Sequence, residues 1–311
     1  MTKKSKKHNT LPSFKTVSLF LLIAALLLFY PGDNPYFQIV AFNRETFSKD
    51  LSIPRHETND VPYTQGYAPF VTADGVYVVE LSTFTPVLAK NEHKKLFPAS
   101  TNKIITALVT LDLYKPIDIV KVKRTIQEGQ LMDLVIGERI TVENLLYGML
   151  VHSGNDAAYA IAYDYGYDAF IDAMNKKAWE LGMKDSQFRN PAGLDEANQL
   201  TTPFDLAVAA RALLQNDYLR KIVGTKEIVI SDVDYTRFHT LKNVNQLLGE
   251  IQGLGGLKTG YTELAGENLV SYFRYNNKEY IIVVMKSEDR FEDTRVILDW
   301  IKSNVKYISV Q

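Results

Sequence analysis

The spacing of apolar residues predicts strands toward both ends of the main part of the chain, with helices between them. Short runs rich in β-branched and aromatic residues predict two strands, at 76–81 and 86–90, joined by a hairpin-like turn at 82–85. Beyond residue 226 the same kind of run returns. It predicts four further strands, at 227–230, 256–259, 268–275 and 280–285.

In the middle of the chain apolar residues recur every three or four positions, which is the spacing of an amphipathic helix. A helix from Ser100 to about residue 114 would bury Ile104, Ile105, Leu108 and Leu111. Further helices are predicted at 141–151, 156–165, 167–181, 203–214 and about 291–305. Strands at both ends of a helical middle predict an α/β fold of the α+β type, whose antiparallel sheet is assembled from the two ends of the chain.

The N-terminus combines a lysine-rich start with an apolar run at 17–30, in which Ser18 is the only polar residue. A basic flank before an apolar segment is typical of export, with the lysines in the cytoplasm. The run is short for a membrane span, which favours a cleaved signal peptide, but no Ala-x-Ala-like site follows it. We expect an uncleaved anchor that holds the rest of the protein outside the cytoplasmic membrane; a secreted, cleaved form is the alternative.

Residues 32–66 mix proline, asparagine and charged residues without a clear period, which is typical of a stem or linker. We therefore expect three parts: a basic tip and membrane segment at 1–31, this linker, and a folded domain at 67–311. We expect no β-domain and no amphipathic tail beyond the last predicted helix, which makes the N-terminal segment the expected tether.

Composition narrows the functional classes. The chain has 311 residues, of which 46% are hydrophobic, and a formal net charge of −1. This balance argues against nucleic-acid binding, since the only strongly basic stretch lies at 3–7. The absence of cysteine excludes disulfides, thiolate metal sites and cysteine nucleophiles. The five histidines are scattered without a ligand-like spacing, so we expect neither a metal nor another cofactor.

Ser100 and Lys103 have the spacing of a serine nucleophile and its base. On a helix, residues three apart share a face, and their Cβ atoms are about 5–6 Å apart. A serine hydroxyl needs a nearby group to accept its proton, and a lysine can do this only when it is neutral. Burial, a positive helix N-terminus and a second lysine would each favour the neutral form. A helix cap followed by a surface lysine is the alternative for this pattern alone.

Two further motifs follow in order. Ser153-Gly154-Asn155 lies about fifty residues beyond Ser100, and Lys258-Thr259-Gly260 lies about a hundred residues beyond that. On a helix, side chains two residues apart point away from each other. Ser153 and Asn155 can therefore meet at one site only where the chain turns, and we expect Gly154 to supply that turn.

The three motifs have the order found in penicillin-binding proteins and serine β-lactamases. From about residue 65 to 303 the chain resembles the D-alanyl-D-alanine carboxypeptidase family of low-molecular-mass penicillin-binding proteins, through the segments PASTNKIITAL, VHSGNDAAYAIA, FRNPAGLD and GLKTGYTELAGENLV. The resemblance implies a β-lactamase/transpeptidase-like fold, in which helices cover a five-stranded sheet and an all-helical region adjoins it. It also implies a substrate, the peptidoglycan stem peptide ending in D-Ala-D-Ala, and β-lactams as covalent inhibitors.

The resemblance implies a role for each catalytic residue. Ser100 would attack the substrate carbonyl, and neutral Lys103 would take the proton of Ser100. Ser153 and Lys258 would relay a proton to the departing amine. Asn155 would bind the substrate amide and hold Lys103.

The other expected site residues would bind the substrate. The backbone N–H groups of Ser100 and Tyr261 would form the oxyanion hole. Gly260 would let the substrate backbone pass close to the strand. Thr259 would bind the substrate carboxylate, and Arg290 would either assist it or be an ordinary surface arginine.

Three other functions use similar features. A class A β-lactamase would need a deacylating glutamate between the second and third motifs, and the matching segment at 188–195 has none. A D,D-endopeptidase that cleaves crosslinks would use the same machinery. A non-catalytic wall-binding protein would have no need of the Ser100–Lys103 pair. A serine-type D-Ala-D-Ala carboxypeptidase is the function that we expect.

Overall fold

The structure, a computed structural model, describes residues 60–309. The predicted membrane segment at 1–31 and residues 32–59 of the predicted linker lie outside this range. Within it, none of the helices has both the length and the apolar composition needed to cross a bilayer.

Strands and helices follow each other along the described chain. The strands are β1 (Asp60–Thr64), β2 (Gly75–Glu80), β3 (Pro86–Lys90), β4 (Ile119–Lys121), β5 (Arg139–Thr141), β6 (Glu227–Ser231), β7 (Phe238–Lys242), β8 (Leu254–Thr262), β9 (Gly266–Tyr275), β10 (Lys278–Ser287) and β11 (Val305–Ser309). The α-helices are α1 (Lys103–Leu113), α2 (Val142–Leu150), α3 (Asn155–Tyr165), α4 (Tyr167–Leu181), α5 (Pro203–Gln215), α6 (Asp217–Val223) and α7 (Arg290–Asn304).

The central sheet has five antiparallel strands in the order β3-β2-β10-β9-β8. Its strands come from both ends of the described chain, as the hydrophobic pattern predicts. β8 lies at an edge of this sheet and therefore leaves one side of its backbone open. Helices α1 to α6 come from the middle of the chain, which confirms the predicted α+β organisation.

The two faces of the sheet pack against different helices. Tyr77, Val79 and Ile281 join the larger core, which they share with helices of the middle region. Val78 and Ile282 join a second core with α7. Successive side chains of a strand point to opposite faces, so the apolar runs of β2 and β10 serve both cores at once.

Several elements differ from the sequence-based expectation. β1, which lies inside the predicted linker, pairs with β11, so residues 60–64 belong to the same folded unit. β4 pairs with β5, and β6 continues into a hairpin with β7. These are short strands outside the central sheet, and their pairing depends on tertiary contacts more than on local apolar runs.

Candidate active site

The three motifs meet where the edge strand β8 faces the helical region. Ser100 comes from a short 3₁₀ helix, Ala99–Asn102, that precedes α1. Ser153 and Asn155 come from the connection between α2 and α3, and Lys258 from β8.

Ser100 lies in the 3₁₀ helix and not, as predicted, in the α-helix, which begins at Lys103. In a 3₁₀ helix side chains three residues apart eclipse each other. The Lys103 ammonium nitrogen Nζ accordingly lies 2.7 Å from Ser100 Oγ. The turn thus places Lys103 Nζ within hydrogen-bond distance of Ser100 Oγ.

Lys103 is fully buried and has three hydrogen-bond partners. Besides Ser100 Oγ, Nζ contacts Asn155 Oδ1 at 2.6 Å and the carbonyl oxygen of Ala192 at 2.8 Å. The last two oxygens can only accept hydrogen bonds. A neutral amine satisfies both with its two hydrogens and leaves its lone pair directed at the Ser100 hydroxyl. The geometry therefore suits a lysine that accepts a proton from Ser100.

Electrostatics also favours the neutral form of Lys103. Burial holds the pKa of Lys103 well below its ordinary value, and the positive charge of Lys258 lowers this pKa further. The carboxylate of Asp156 opposes both effects. Burial is the largest of these causes, because the site removes water from the ammonium and supplies no direct carboxylate partner.

Lys258 forms the second half of the site with Ser153. Its Nζ lies 2.9 Å from Ser153 Oγ and 2.9 Å from the carbonyl oxygen of Thr259. Burial, with a smaller contribution from the Arg290 charge, lowers the pKa of Lys258 to about 7. Both protonation states of this lysine are therefore accessible at neutral pH.

A β-bulge in β8 places Lys258. Gly256 pairs with Ser271 and Lys258 with Val270, so Leu257 is an extra residue on β8. A bulge re-aims side chains. As a result two consecutive side chains point to the same side of β8. Leu257 joins the core shared with the helices, and Lys258 reaches Ser153.

The turn at the second motif differs in detail from the prediction. Ser153 has φ = 64° and takes the left-handed conformation, whereas Gly154 has φ = −55°. Gly154 is closely packed: a β-carbon there would lie 3.0 Å from Asp156 Oδ1 and 3.2 Å from the carbonyl oxygen of Gly148. The turn lies where it was predicted, and its left-handed residue is Ser153.

Asn155 is held by the segment at 128–130. Its backbone N–H donates to the carbonyl oxygen of Gln130 at 2.7 Å, and its side-chain Nδ2 donates to the carbonyl oxygen of Glu128 at 2.8 Å. Its Oδ1 accepts from Lys103. The expected hold on Lys103 is therefore present, and Nδ2 keeps one hydrogen for a substrate.

The segment at 188–195 contributes backbone atoms that sequence reasoning missed. Ala192 holds Lys103 through its carbonyl group, and Asn190 shapes the turn by accepting the N–H of Gly193 at 2.8 Å and of Leu194 at 3.1 Å. A carbonyl group carries no side-chain signal. The only available sign was the resemblance of FRNPAGLD to its family counterpart.

The expected substrate-binding residues lie along β8. A β-carbon on Gly260 would lie 2.7 Å from the backbone nitrogen of Ser100, so glycine is needed where β8 passes Ser100. Thr259 is buried and Tyr261 is 63% exposed at the end of the motif. Arg290 is not an ordinary surface residue: its side chain is 15% exposed, and Nη1 donates to the Gly260 carbonyl oxygen at 2.8 Å.

The structure thus brings together Ser100, Lys103 and Asn155 directly, and Ser153 and Lys258 as a neighbouring pair. Their roles in a reaction remain predictions. Sequence reasoning missed Asp156, the residue after the second motif. Its carboxylate raises the pKa of Lys103. Among the residues from 60 to 309, no group of three or more histidine, aspartate or glutamate side chains could hold a metal ion.

Comparison with known proteins agrees with this geometry. The model of the D-alanyl-D-alanine carboxypeptidase family matches residues 63–289. The D-alanyl-D-alanine carboxypeptidase DacF of Bacillus subtilis is 34% identical over 229 residues, which cover 68% of this chain and 57% of that protein. The D-alanyl-D-alanine endopeptidase of Escherichia coli is 30% identical over 281 residues, which cover 86% of this chain and 90% of that protein.

A solved structure shows the same fold. The Streptomyces K15 DD-transpeptidase superposes with a TM-score of 0.70 at 30% identity, over 76% of this chain and 100% of that chain. The family match covers most of the chain and includes all three motifs. The chain belongs to the D-alanyl-D-alanine carboxypeptidase family.

Proposed function

We propose that this protein is a serine-type D-alanyl-D-alanine carboxypeptidase. It removes the terminal D-alanine of peptidoglycan stem peptides through an acyl-enzyme on Ser100. The observation that carries the proposal is the buried Lys103, whose Nζ lies 2.7 Å from Ser100 Oγ and whose other partners can only accept hydrogen bonds.

Acylation begins with the attack of Ser100 Oγ on the carbonyl carbon of the penultimate D-alanine. The Ser100 proton moves to neutral Lys103 as the bond forms. The developing oxyanion lies against the backbone N–H groups of Ser100 and Tyr261. The C–N bond then breaks, and Ser153 donates a proton to the departing amine while it receives one from Lys258.

Deacylation runs the same transfers in reverse. Water adds to the ester carbonyl and passes its proton through Ser153 to Lys258. The ester bond breaks, and Lys103 returns its proton to Ser100. The two lysines thus carry one proton between them throughout the cycle, which fits the lowered pKa of each.

A cationic end of the cleft suits a substrate with a free carboxylate. Arg290 is mostly buried; its Nε lies 3.9 Å from Glu267 Oε2, beyond hydrogen-bond distance, and has no hydrogen-bond partner within the described residues. Thr259 and Lys258 lie on β8 beside the Gly260 carbonyl that Arg290 contacts. These groups together can bind the terminal carboxylate that distinguishes a carboxypeptidase substrate.

The direct test uses the full-length protein and the Ser100→Ala variant. Incubation with penicillin should give a single covalent adduct by intact-mass spectrometry, absent from the variant. Diacetyl-Lys-D-Ala-D-Ala should release D-alanine with the wild type only. An adduct that persists in Ser100→Ala, or no D-alanine release, would contradict the proposal.

Endopeptidase activity on crosslinks is a second candidate. The E. coli endopeptidase is matched over 90% of its length, more than the B. subtilis carboxypeptidase. The same acylation would apply, with a longer leaving group than D-alanine. Digestion of purified crosslinked dimers and of monomeric pentapeptides, followed by chromatography, gives the ratio of the two activities.

We also propose that the apolar run at 17–30 anchors the protein in the cytoplasmic membrane, with the domain outside. The lysine-rich flank and the lack of a small-residue cleavage site support this. Fractionation should find the protein in membranes after high-salt washing, with its N-terminus intact. A soluble form beginning near residue 32 would contradict the anchor.

A further inference from the structure

His239 is buried between two hydrogen-bond acceptors on the far side of the second motif. Its Nδ1 lies 2.8 Å from the carbonyl oxygen of Met132, and its Nε2 lies 2.7 Å from Glu138 Oε1. The Glu138 side chain is itself completely buried. Its other oxygen, Oε2, accepts the Val135 N–H at 3.0 Å.

These contacts show how many protons His239 and Glu138 must hold together. A carbonyl oxygen can only accept, so Nδ1 must carry a hydrogen. The contact of Nε2 with the carboxylate then needs a second proton, either on His239 or on Glu138. When that proton is lost, neutral His239 has one hydrogen for two acceptors. The negative Glu138 is the stronger acceptor, so the contact with the Met132 carbonyl is the one that fails.

Met132 connects this pair to the second motif. Its side chain packs against Gly148 and Gly154. A β-carbon on Gly148 would overlap the Met132 side chain, and a β-carbon on Gly154 would touch it. Its N–H donates to Asp156 Oδ1 at 3.0 Å, and the neighbouring Leu134 N–H donates to Asp156 Oδ2 at 3.0 Å. The carbonyl oxygen of Gln130, two residues before Met132, accepts the backbone N–H of Asn155.

We propose that His239 and Glu138 are positioning residues for the Ser153-Gly154-Asn155 motif. The proton that they share keeps Met132, and with it the segment at 128–134, packed against the motif. Asn155 in turn orients Lys103, so loss of this proton slows acylation of Ser100. This inference rests on the proposed acyl transfer at Ser100.

The surroundings of His239 set the direction of the pH effect. The hydrogen bond to Glu138 raises the pKa of His239, burial opposes this, and the charge of Asp156 also raises it. Asp133, His152 and Arg237 line a cavity of about 340 Å³ beside the ring. The pair therefore loses its proton at a higher pH than an ordinary histidine would.

Glu138→Gln provides the test, because it makes the same contacts without the extra proton. The amide oxygen accepts the Val135 N–H, the amide nitrogen donates to Nε2, and Nδ1–H still donates to Met132. We expect equal penicillin acylation rates for wild type and variant at pH 6. By pH 10 the wild type should be about 10-fold slower than the variant, since small displacements of catalytic groups have effects of this size.

Two controls separate positioning from general stability. Glu138→Ala loses the contact with the Val135 N–H but also removes the acceptor that competes with Met132 for the His239 hydrogen. Its acylation rate can be lower, but the ratio of its rate to that of Glu138→Gln should stay constant from pH 6 to 10. Glu180→Gln changes an exposed glutamate of α4 whose Oε1 lies 3.8 Å from Lys176 Nζ. Its acylation rate should equal that of the wild type at every pH. A rate ratio between wild type and Glu138→Gln that stays constant from pH 6 to 10 would overturn the inference.

Nuclear magnetic resonance of the wild-type protein provides a readout that needs neither activity nor the variants. The Asn155 backbone amide should shift with the same midpoint as the His239 ring. An Asn155 amide that is unaffected by His239 titration would also overturn the inference. Absence of acylation at every pH would contradict the proposed function, and the amide titration would still decide the positioning role.

Discussion

Gly193 packs so closely against Ala99 that a β-carbon on Gly193 would overlap the Ala99 carbonyl oxygen. Ala99 precedes Ser100, the proposed nucleophile, and Gly193 follows Ala192, whose carbonyl oxygen holds Lys103. Gly193 also has φ = +88°, which side chains rarely adopt. The contact fixes the distance between the turn that carries Ser100 and the loop that holds Lys103.

We therefore expect Gly193→Ala to combine backbone strain with a steric clash. The free energy of unfolding should fall by about 3 kcal/mol or more, because each effect costs about 1–3 kcal/mol. Gly182→Ala is the matched control: Gly182 has φ = +82° but no atom within 4 Å of the added carbon. It should lose only about 1 kcal/mol in urea denaturation. Equal losses for both variants would show that the Ala99 contact is unimportant.

Acylation by penicillin should depend on pH through the two lysines. At low pH both are protonated and the base is absent; the rate should rise as the pair loses its first proton. Since burial lowers the pKa of each lysine, this rise should lie below the ordinary lysine value of 10.5. The apparent pKa belongs to the pair because the two charges interact. Stopped-flow acylation that is flat from pH 5 to 9 would contradict the base role of Lys103.

Lys103→Arg should be inactive although it keeps the positive charge. A guanidinium does not release its proton at any working pH, so it cannot accept the proton of Ser100. We expect the acylation rate to fall about 1,000-fold, within the range for loss of a general base. Near-normal acylation by a folded Lys103→Arg protein, checked by circular dichroism, would require another base.

Arg290 should act on both the substrate carboxylate and Lys258. Its charge contributes to lowering the pKa of Lys258, so Arg290→Gln should move the pH profile of acylation toward higher pH. The KM for the D-Ala-D-Ala peptide should also rise, by about 10-fold for loss of a charged hydrogen bond. Arg290→Lys keeps the charge and should leave the pH profile nearly unchanged. The same shift in both variants would exclude the charge as its cause.

The penicillin acyl-enzyme should hydrolyse slowly while the peptide acyl-enzyme turns over. The segment at 188–195 offers no glutamate to activate water, and it supplies the Ala192 carbonyl to Lys103. The opened lactam stays in the site and obstructs water, whereas D-alanine leaves. We expect adduct lifetimes of minutes or longer by intact-mass spectrometry; each 10-fold slower step corresponds to about 1.4 kcal/mol of barrier. Rapid penicillin turnover without peptide cleavage would identify a β-lactamase.

The side chains of the site could be predicted from the sequence because each carries its own chemistry. Ser100 and Lys103 stand out by spacing, and the order of the three motifs locates Ser153 and Lys258. The 3₁₀ geometry at Ser100 was missed, because local apolar spacing does not distinguish it from the first turn of an α-helix.

Backbone contributions were harder to predict. Ala192 acts through its carbonyl group, and any residue has one. The left-handed angle at Ser153 leaves no sequence signal, because serine rarely takes such angles; the neighbouring Gly154, where the turn was predicted, has φ = −55° and is closely packed. The pairing of β1 with β11 joins residues more than 240 positions apart and leaves no local pattern.

The three contacts of Lys103 also determine when the site can form during folding. Its partners lie 3, 52 and 89 residues away along the chain. Closing the two longer loops costs chain entropy before any contact compensates for it, so distant contacts of this kind tend to form late. During refolding, the ability to bind penicillin covalently should therefore appear after the secondary structure signal has developed. Covalent labelling by a fluorescent β-lactam would then report that the whole domain has folded, whereas an optical probe of the helices would report only that secondary structure has formed.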